Sequence, residues 1–326
     1  MPTLRDPLAI RSVTLPNRIW FPPVARDLAA ADGAVTPENV QAYRTIAAGG
    51  VGTVVVEHCF VHPDGRFSAK QIGIDRDDCV AGLSSIAQAI RQAGAVPIIQ
   101  VSFAGARTIC GKRIGPSAGV MPGEKEPAEE LSREAIETVP TLFASAVRRA
   151  REAGFSGVEL HAAHGFLLSA FLSPLANRRT DRWGGPLESR ARLVLEVVRA
   201  ARPYGSETFV IGMRLGADDD MPGGFTPQDA AVVAGWLQRE GVDILSISGG
   251  LCGSRPAKFT GRQGYFFAQA EVVKRAVSIP VVGVGGVTDP AVARAAVMEG
   301  RLDLVAVGRR LMADPTWARR ATAMEA

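Results

Sequence analysis

Two histidines three residues apart are the residues of this sequence best placed to do chemistry. His161 and His164 follow Val158–Leu160, a short apolar run that predicts the end of a buried strand. If the chain becomes helical here, this spacing places both imidazoles on one side of a turn. Two neutral imidazole N–H groups could then donate to one substrate oxygen, for instance of a carbonyl or nitro group. The pair could also be structural, or half of a zinc site, although zinc needs a third protein ligand and only His58 and His62 remain.

The residues after the histidines predict a turn, a helix and a loop. Gly165 allows the backbone to turn, and the apolar run Phe166–Leu172 has helical spacing until Pro174 limits it. Residues 177–185 follow, and they are too charged for a hydrophobic core. We expect an ordered surface loop there.

Segments typical of strands alternate with segments typical of helices along the whole chain. The predicted strands are Ile19–Phe21, Thr53–Glu57, Val96–Gln100, Gly157–Leu160, Thr208–Met213, Asp243–Ile247, Pro280–Val284 and Asp303–Val307. The predicted helices are Thr36–Ala48, Cys79–Ala93, Ser132–Ala153, Leu187–Ala201, Pro227–Glu240, Phe267–Val277 and Asp289–Glu299. Such alternation predicts an α/β protein with a parallel sheet, and about eight repeats predict a closed (β/α)8 TIM barrel. We expect residues 1–326 to form a single domain, with Phe103–Leu131 as a long loop over the barrel mouth.

The composition excludes several classes of protein. The chain is 47% hydrophobic and 21% charged, and its net charge of +4 is spread without long basic runs, so nucleic-acid binding is not indicated. No apolar run reaches the roughly 18 residues of a membrane span and no secretory leader is recognisable, so we expect a cytoplasmic protein. The scattered cysteines predict reduced thiols rather than disulfides, and they are Cys59, Cys79, Cys110 and Cys252. The expected partner is a small-molecule substrate, and assembly into a homo-oligomer is left open.

Polar residues and glycines cluster where a TIM barrel carries its chemistry, at the carboxyl ends of the strands. The residues at these ends are Gln100, His161, Arg214, Gly285, Gly286, Gly308 and Arg309. In barrels, the loops after the last two strands commonly bind the phosphate of a ligand. Exposed N–H groups in the turn at Gly285 and Gly286 would form such an anion site, next to Gly308 and Arg309. The alternative is that these glycines only permit tight turns.

Longer motifs resemble a known family. HAAHGF followed by FLSPLANRRTDRWGGPLESR resembles the signature of the old yellow enzyme family of FMN-dependent ene-reductases, and LPNRIWFPPVA, IIQVSFAG and IGMRLGADD extend the resemblance over nearly the whole chain. The resemblance implies FMN as the cofactor, NADH or NADPH as the reductant, and a single-domain member without an iron–sulfur cluster. The implied flavin contacts are Pro23, Val24 and Ala25 at the ring edge, Gln100 at the pyrimidine part and Arg214 near N1 and O2. For Arg214, a salt bridge with one of Asp218–Asp220 is the alternative.

The resemblance also implies an activity. A nicotinamide cofactor would give hydride to FMN, which would pass it to the β carbon of an activated alkene whose oxygen His161 and His164 hold. A proton would then reach the α carbon. Three alternatives remain open: the oxidative direction on a ketone or an amine, a flavin-binding protein with little turnover, and a barrel without flavin. We expect no metal.

Three positions depart from the family pattern. Phe166 stands where the family's tyrosine supplies a proton, and Ala25 stands where some members have a cysteine. His58, implied to lie next to the flavin, follows Glu57 at a position that is usually small. It could narrow the pocket, donate a proton, or point away and serve packing. The proton could come from solvent, from His58 or from Tyr265, and we expect solvent to supply it. The expected substrate-pocket residues are Arg26, Phe166 and Tyr265.

Overall fold

The computed structural model describes residues 1–324, and eight of its strands close into a parallel barrel. In chain order the strands are β1 (Leu8–Ile10), β2 (Val13–Leu15), β3 (Ile19–Phe21), β4 (Thr53–Phe60), β5 (Val96–Ser102), β6 (Ile114–Gly115), β7 (Gly119–Val120), β8 (Pro127–Glu130), β9 (Gly157–Ala162), β10 (Val210–Gly216), β11 (Ile244–Ser248), β12 (Val281–Val284) and β13 (Leu304–Ala306). The α-helices are α1 (Pro37–Ala48), α2 (Cys79–Gln92), α3 (Arg133–Glu152), α4 (Leu167–Leu172), α5 (Leu187–Ala201), α6 (Pro227–Arg239), α7 (Phe267–Lys274), α8 (Pro290–Met298), α9 (Arg309–Ala313) and α10 (Trp317–Ala323). Around the barrel the order is β3, β4, β5, β9, β10, β11, β12 and β13, and β13 pairs with β3. The predicted TIM barrel is confirmed.

Side chains alternate along each barrel strand, so that one points into the barrel and the next toward the helices. Apolar side chains fill the interior near the amino ends of the strands, and they are Trp20, Val55, Ile98, Val210, Ile244, Val282 and Leu304. The hairpin of β1 and β2 packs on the same cluster and closes that end. Nearer the carboxyl ends the buried polar side chains are Gln100, Glu159, His161, Arg214 and Ser248. The interior is therefore apolar at the closed end and polar at the open end.

Capping residues determine where helices α1 and α6 begin. The hydroxyl of Thr36 accepts the N–H of Asn39 at 3.3 Å, and the side chain of Asn39 accepts the N–H of Thr36 at 3.1 Å. Thr226 and Asp229 make the same reciprocal pair in front of α6. A proline at the first helical position follows each cap, where its fixed φ suits the helix and its missing N–H costs nothing.

The chain is not helical between the two histidines, so the condition under which a helix would bring them together is not met. Strand β9 continues through residues 161–162, which still pair with β10. The chain then turns through left-handed backbone, with φ of 60° at His164 and 72° at Gly165. His161 therefore lies in a strand and His164 in the turn after it, and their rings meet across this turn rather than along a helix.

The segment Phe103–Leu131 is more regular than predicted. It contains β6, β7 and β8, which form a small sheet in the order β6-β8-β7. Met121 of this segment packs with Ala170 of α4 and with Leu251 after β11, so the segment lies against loops at the carboxyl end of the barrel. Its strands are only two to four residues long, which is too short for a recognisable alternation in the sequence.

The charged segment 177–185 is ordered, but it is not entirely at the surface. Asn177, Arg179 and Trp183 are buried. The guanidinium of Arg179 donates to Asp181 Oδ2 at 2.7 Å and to two backbone carbonyls at 2.9 and 3.1 Å. The prediction of a surface loop is wrong for these residues, because a charge whose donors are all paired can be buried.

Two further facts bear on the class of protein. Across residues 1–324, no helix combines the length and the apolar character that crossing a bilayer requires. Cys59, Cys79, Cys110 and Cys252 are free thiols.

Candidate active site

His161 and His164 lie together at the carboxyl end of the barrel. Their ring centroids are 5.1 Å apart at an interplanar angle of 67°. His161 is 2% exposed, and its Nδ1 has no hydrogen-bond partner among the described residues. Burial, reinforced by the nearby Arg214 cation, lowers the pKa of both imidazoles well below the usual value. Both rings are therefore neutral at pH 7, and each can donate one N–H.

Ser248, the last residue of β11, connects the histidine pair to Arg214. Its Oγ lies 2.8 Å from His164 Nε2 and accepts a hydrogen bond from Arg214 Nη2 at 3.3 Å. The backbone N–H of His164 donates to the Gly249 carbonyl at 2.9 Å. Sequence reasoning missed Ser248. The available signal was the alternation of Ser246 and Ser248 in an otherwise apolar strand, which marks a polar inner face.

Arg214 and Gln100 face the barrel interior together with Glu159. Gln100 Nε2 donates to Glu159 Oε1 at 2.7 Å. Burial raises the pKa of Glu159 to about 7, against the opposing effects of Arg214 and Gln100. Arg214 is 6% exposed, and its Nε has no partner within residues 1–324. The interior thus presents a buried cation with an N–H still available to a ligand.

The alternative partner predicted for Arg214 is not observed. Asp219 accepts the backbone N–H of Leu251 at 2.7 Å and of Phe225 at 2.8 Å, and Asp220 pairs with Lys258. Within the described part of the chain, no ion pair joins Arg214 to these aspartates. The Arg214 guanidinium is therefore not paired with these aspartates and can contact a ligand.

His58 points into the pocket that contains His161. Its ring centroid is 6.3 Å from that of His161, 5.4 Å from that of Phe166 and 5.6 Å from that of Phe67. Burial lowers the pKa of His58 to about 4, although Asp27 acts in the opposite direction. The possibility that His58 points away is wrong, since its ring narrows the pocket.

Phe166 forms an apolar wall beside the histidines. It is the residue before α4, and its ring centroid lies 4.5 Å from that of His161. Phe67 stacks on it at 5.6 Å with an interplanar angle of 25°. Sequence reasoning missed Phe67, because it lies in the irregular loop after β4, where no spacing identifies a site residue.

Glu57 fixes the loop after β3. Its Oε2 accepts the backbone N–H of Arg26 at 2.7 Å, and its Oε1 accepts the hydroxyl of Tyr43 at 3.3 Å. Burial raises the pKa of Glu57 to about 7. The loop residues fixed in this way are Pro23, Val24, Ala25 and Arg26; Pro23 is buried and the others are half-buried.

The turn after β12 depends on two glycines. Gly285 has φ of 147° and Gly286 has φ of 64°. A Cβ on Gly285 would lie 2.4 Å from the backbone nitrogen of Tyr265, and a Cβ on Gly286 would lie 2.9 Å from the Tyr265 ring. Neither position accepts a side chain while the loop before α7 lies against it. Both predicted roles, a tight turn and an anion site, are compatible with this geometry.

The turn after β13 lies beside the loop after β3. Gly308 precedes α9, and a Cβ there would approach Val24 Cγ2 to 3.2 Å. Arg309 is the first residue of α9 and is exposed. Tyr265 lies by the glycine turn, donates its hydroxyl to the Ser254 carbonyl at 2.9 Å and stacks on Phe259. The structure records no hydrogen bond or ring contact between Tyr265 and the histidine pair within residues 1–324.

No group of three or more His, Cys, Asp or Glu side chains in residues 1–324 is arranged to hold a metal ion. Within this part of the chain, His161 and His164 therefore lack a third zinc ligand.

Comparison with known proteins identifies the family. A model described as the NADH:flavin oxidoreductase / NADH oxidase family matches residues 3–325. The chain belongs to this family. It is 36% identical over 335 residues to an NADH oxidase of Thermoanaerobacter brockii, covering 98% of this chain and 50% of that protein. It is 35% identical over 316 residues to an NADPH dehydrogenase of Geobacillus sp. (strain WCH70), covering 96% and 92% respectively.

A solved structure shares the fold closely. The complex of 2-naphthoyl-CoA reductase with 2-naphthoyl-CoA superimposes with a TM-score of 0.93 at 27% identity, covering 99% of this chain and 52% of that one. This chain therefore spans about half the length of that reductase and of the NADH oxidase. Membership of the NADH:flavin oxidoreductase family confirms the resemblance to the old yellow enzymes. It also confirms an oxidoreductase with FMN as cofactor and NADH or NADPH as reductant.

The barrel mouth of this flavin oxidoreductase fits FMN. Arg214 is a buried cation with an unpartnered N–H, which suits the electron-rich edge of a reduced flavin. The turn at Gly285 and Gly286 leaves no room for side chains, so a phosphate can approach the backbone. The roles of individual residues at the cofactor stay predictions.

Proposed function

We propose that this chain is an NAD(P)H-dependent reductase of electron-poor alkenes that carry a carbonyl or nitro oxygen. The observation that supports it most directly is the neutral pair of the buried His161 and the half-buried His164, whose ring centroids are 5.1 Å apart, with Ser248 connecting the pair to Arg214. Bound FMN supplies a hydride acceptor for the nicotinamide and a hydride donor for the alkene.

The two imidazoles bind the substrate oxygen and stabilise the negative charge that develops on it. Neutral rings suit this role, because each offers an N–H while neither repels the nearby Arg214. His161 Nδ1 is buried without a protein partner within residues 1–324, as expected of an atom that bonds a ligand. Phe166 and Phe67 exclude water from one side, which strengthens these hydrogen bonds.

The proton for the α carbon comes from solvent in this proposal. Phe166 has no proton to donate. With a pKa of about 4, His58 is neutral near pH 7 and holds no acidic proton. The same lack of an acid favours the second candidate function, the oxidative direction, for an amine, because oxidation of an amine protonates no carbon. Desaturation of a ketone would need a base, such as water, to take the α proton.

The test is anaerobic stopped-flow of the FMN-loaded, reduced protein against cyclohexenone, a nitroalkene and a maleimide. We expect at least one of them to reoxidise the flavin with formation of the saturated product. The double variant His161→Ala/His164→Ala should keep its flavin and react about 100-fold or more slowly, whereas His62→Ala, outside the pocket, should react as the wild type does. Reoxidation by oxygen but by none of the alkenes would exclude the reductase and leave the oxidative direction.

We also propose that the protein acts in the cytoplasm, where its four free thiols would stay reduced.

A further inference from the structure

A β-bulge in β4 brings His58 into the pocket. In the pairing of β4 with β5, Val56 lies opposite Ile99 and Cys59 opposite Val101, so two residues of β4 face a single residue of β5. Strict alternation would send Glu57 inward and His58 outward. The bulge reverses this: Glu57 reaches Tyr43 on the outer helix α1, and His58 faces the barrel mouth.

A buried glutamine holds the His58 ring. Gln71 is 1% exposed, its Oε1 accepts the backbone N–H of Phe67 at 2.6 Å, and its Nε2 lies 2.8 Å from His58 Nδ1. The same Nε2 also donates to the His58 carbonyl. A backbone N–H can only donate, so the amide atom it contacts must be the oxygen, and the atom at His58 must be the NH2 nitrogen.

This arrangement determines the tautomer of His58. Because Gln71 Nε2 is a donor, His58 Nδ1 has to accept, and the neutral ring carries its proton on Nε2. Phe67 and Phe166 flank the ring edge-on, at interplanar angles of 83° and 74°. The loop that carries Gln71 is itself attached to the loop after β3 by the hydrogen bond from Ser68 to Asp27.

We propose that Gln71 positions His58 as the Nε2–H tautomer, and that His58 is a specificity-determining hydrogen-bond donor that selects alkenes with a second oxygen, such as ene-1,4-diones and quinones. The proposal deepens the proposed function, on which it rests. One oxygen of such a substrate bonds His161 and His164, and the other, on the far side of its ring, bonds His58.

The selectivity follows from the cost of burying an unpaired donor. His58 is 8% exposed and is enclosed by two phenylalanine rings and His161, so a bound substrate without a second oxygen leaves its Nε2–H without a partner. A dione satisfies that donor, while a mono-ketone of the same ring size does not. The expected preference is about tenfold to 100-fold for the dione.

The first experiment measures the tautomer in the FMN-loaded protein. Labelling with ¹⁵N-histidine gives ring signals from only four histidines, and His62→Gln and His58→Phe assign two of them. We expect His58 to show an acceptor-type Nδ1 and a protonated Nε2 throughout pH 6–8, with the tautomer mixed in Gln71→Met. A protonated Nδ1 in the wild type, or an unchanged tautomer in Gln71→Met, would overturn the positioning role of Gln71.

The second experiment measures binding without turnover. The flavin absorbance of the oxidised protein is titrated with cyclohexane-1,4-dione and with cyclohexanone, which differ by one oxygen. We expect the wild type to favour the dione, and His58→Phe, which keeps an aromatic ring, to lose the preference by about tenfold to 100-fold; Gln71→Met should lose part of it. His62→Phe is the matched control and should keep it. An equal ratio in wild type and His58→Phe would overturn the specificity role.

Different results would contradict the proposed alkene reduction and the specificity role of His58. Rates with 2-cyclohexene-1,4-dione and 2-cyclohexenone test alkene reduction, so a protein that binds the dione through His58 and reduces neither compound would contradict only the proposed function. A protein that reduces both with a ratio insensitive to His58→Phe would contradict only the inference about His58.

Discussion

Ser248 Oγ lies 2.8 Å from His164 Nε2, so the last residue of one barrel strand orients a ring that follows another. The same oxygen accepts a hydrogen bond from Arg214. The histidine pair, which would bind the substrate, is in this way connected to the buried Arg214 cation, the predicted flavin contact.

Replacing Ser248 with alanine should therefore weaken catalysis more than folding. The variant loses the partner of His164 and one partner of Arg214, and we expect kcat/KM for an enone to fall about tenfold, since a lost hydrogen bond at a charged group costs roughly 1.5–3 kcal/mol. Steady-state kinetics under argon measure the change, with the exposed Ser85→Ala on α2 as the control. An unchanged kcat/KM would show that Ser248 does not orient the pair.

Cofactor retention should depend on the glycine turn after β12. In Gly285→Ala the new Cβ would lie 2.4 Å from the Tyr265 backbone, so the turn must move, and we expect the protein to be purified with little FMN. Gly300→Ala is the control, because it has positive φ but no atom within 4 Å of the added Cβ. Arg309→Glu should lose FMN as well, by placing a carboxylate near the phosphate. The measurement is the FMN-to-protein ratio; a full complement of FMN in Gly285→Ala and Arg309→Glu would place the phosphate elsewhere.

Phe166 should determine how well the α carbon is protonated. Its ring lies 4.5 Å from His161, and it offers no acid, so reduction in heavy water should place deuterium on the α carbon with weak facial control. We expect Phe166→Tyr to sharpen the labelling, and Tyr265→Phe, whose hydroxyl is bonded to Ser254, to leave it unchanged. NMR of the product reads the labelling. Strict single-face labelling by the wild type that Tyr265→Phe abolishes would identify Tyr265 as the acid.

The buried carboxyl of Glu57 should make stability fall as the pH rises. Its pKa is raised from 4.5 to about 7 on folding, so between these values the folded state binds more protons than the unfolded state. The contribution is fully present below pH 4.5 and is lost as the pH rises through 7, with a total of about 3 kcal/mol.

Urea unfolding at pH 5 and pH 8 measures this dependence. We expect Glu57→Gln to lose less free energy of unfolding between the two pH values than the wild type, because the amide cannot ionise while its oxygen can still accept the Arg26 N–H. Glu38→Gln, on the first turn of α1, is the control and should follow the wild type. Parallel losses in Glu57→Gln and wild type would mean that Glu57 does not titrate in this range.

The barrel could be predicted from the sequence because strands and amphipathic helices alternate in a regular pattern. Strands such as β5 and β10 are buried along nearly their whole length and alternate with amphipathic helices, and this pattern survives in a single sequence. The residues at the strand ends followed from the fold, so Gln100, His161 and Arg214 were found together before any distance was known. Their roles at the cofactor remain untested.

The features that the sequence did not predict depend on contacts between residues that lie far apart in the chain. The sequence is compatible with a helical turn from His161 to His164, because the same spacing suits a helix and also a strand followed by a turn. Only the pairing of β9 with β10 decides between them. Ser248, Phe67 and Gln71 were not found, since each matters through contacts with residues that lie far away in the sequence. Arg179 was placed at the surface, because the partners that satisfy its guanidinium cannot be read from its charge.

The extra residue in β4 lets two neighbouring residues have separate roles, one in folding and one in the pocket. Residue 57 stabilises the barrel through its hydrogen bonds with Tyr43 and with the loop after β3. Residue 58 instead determines the shape of the cavity. Evolution, or a saturation library at position 58, can therefore explore new substrate ranges on a constant scaffold. The same number of changes at position 57 would mostly sample chains that fold poorly.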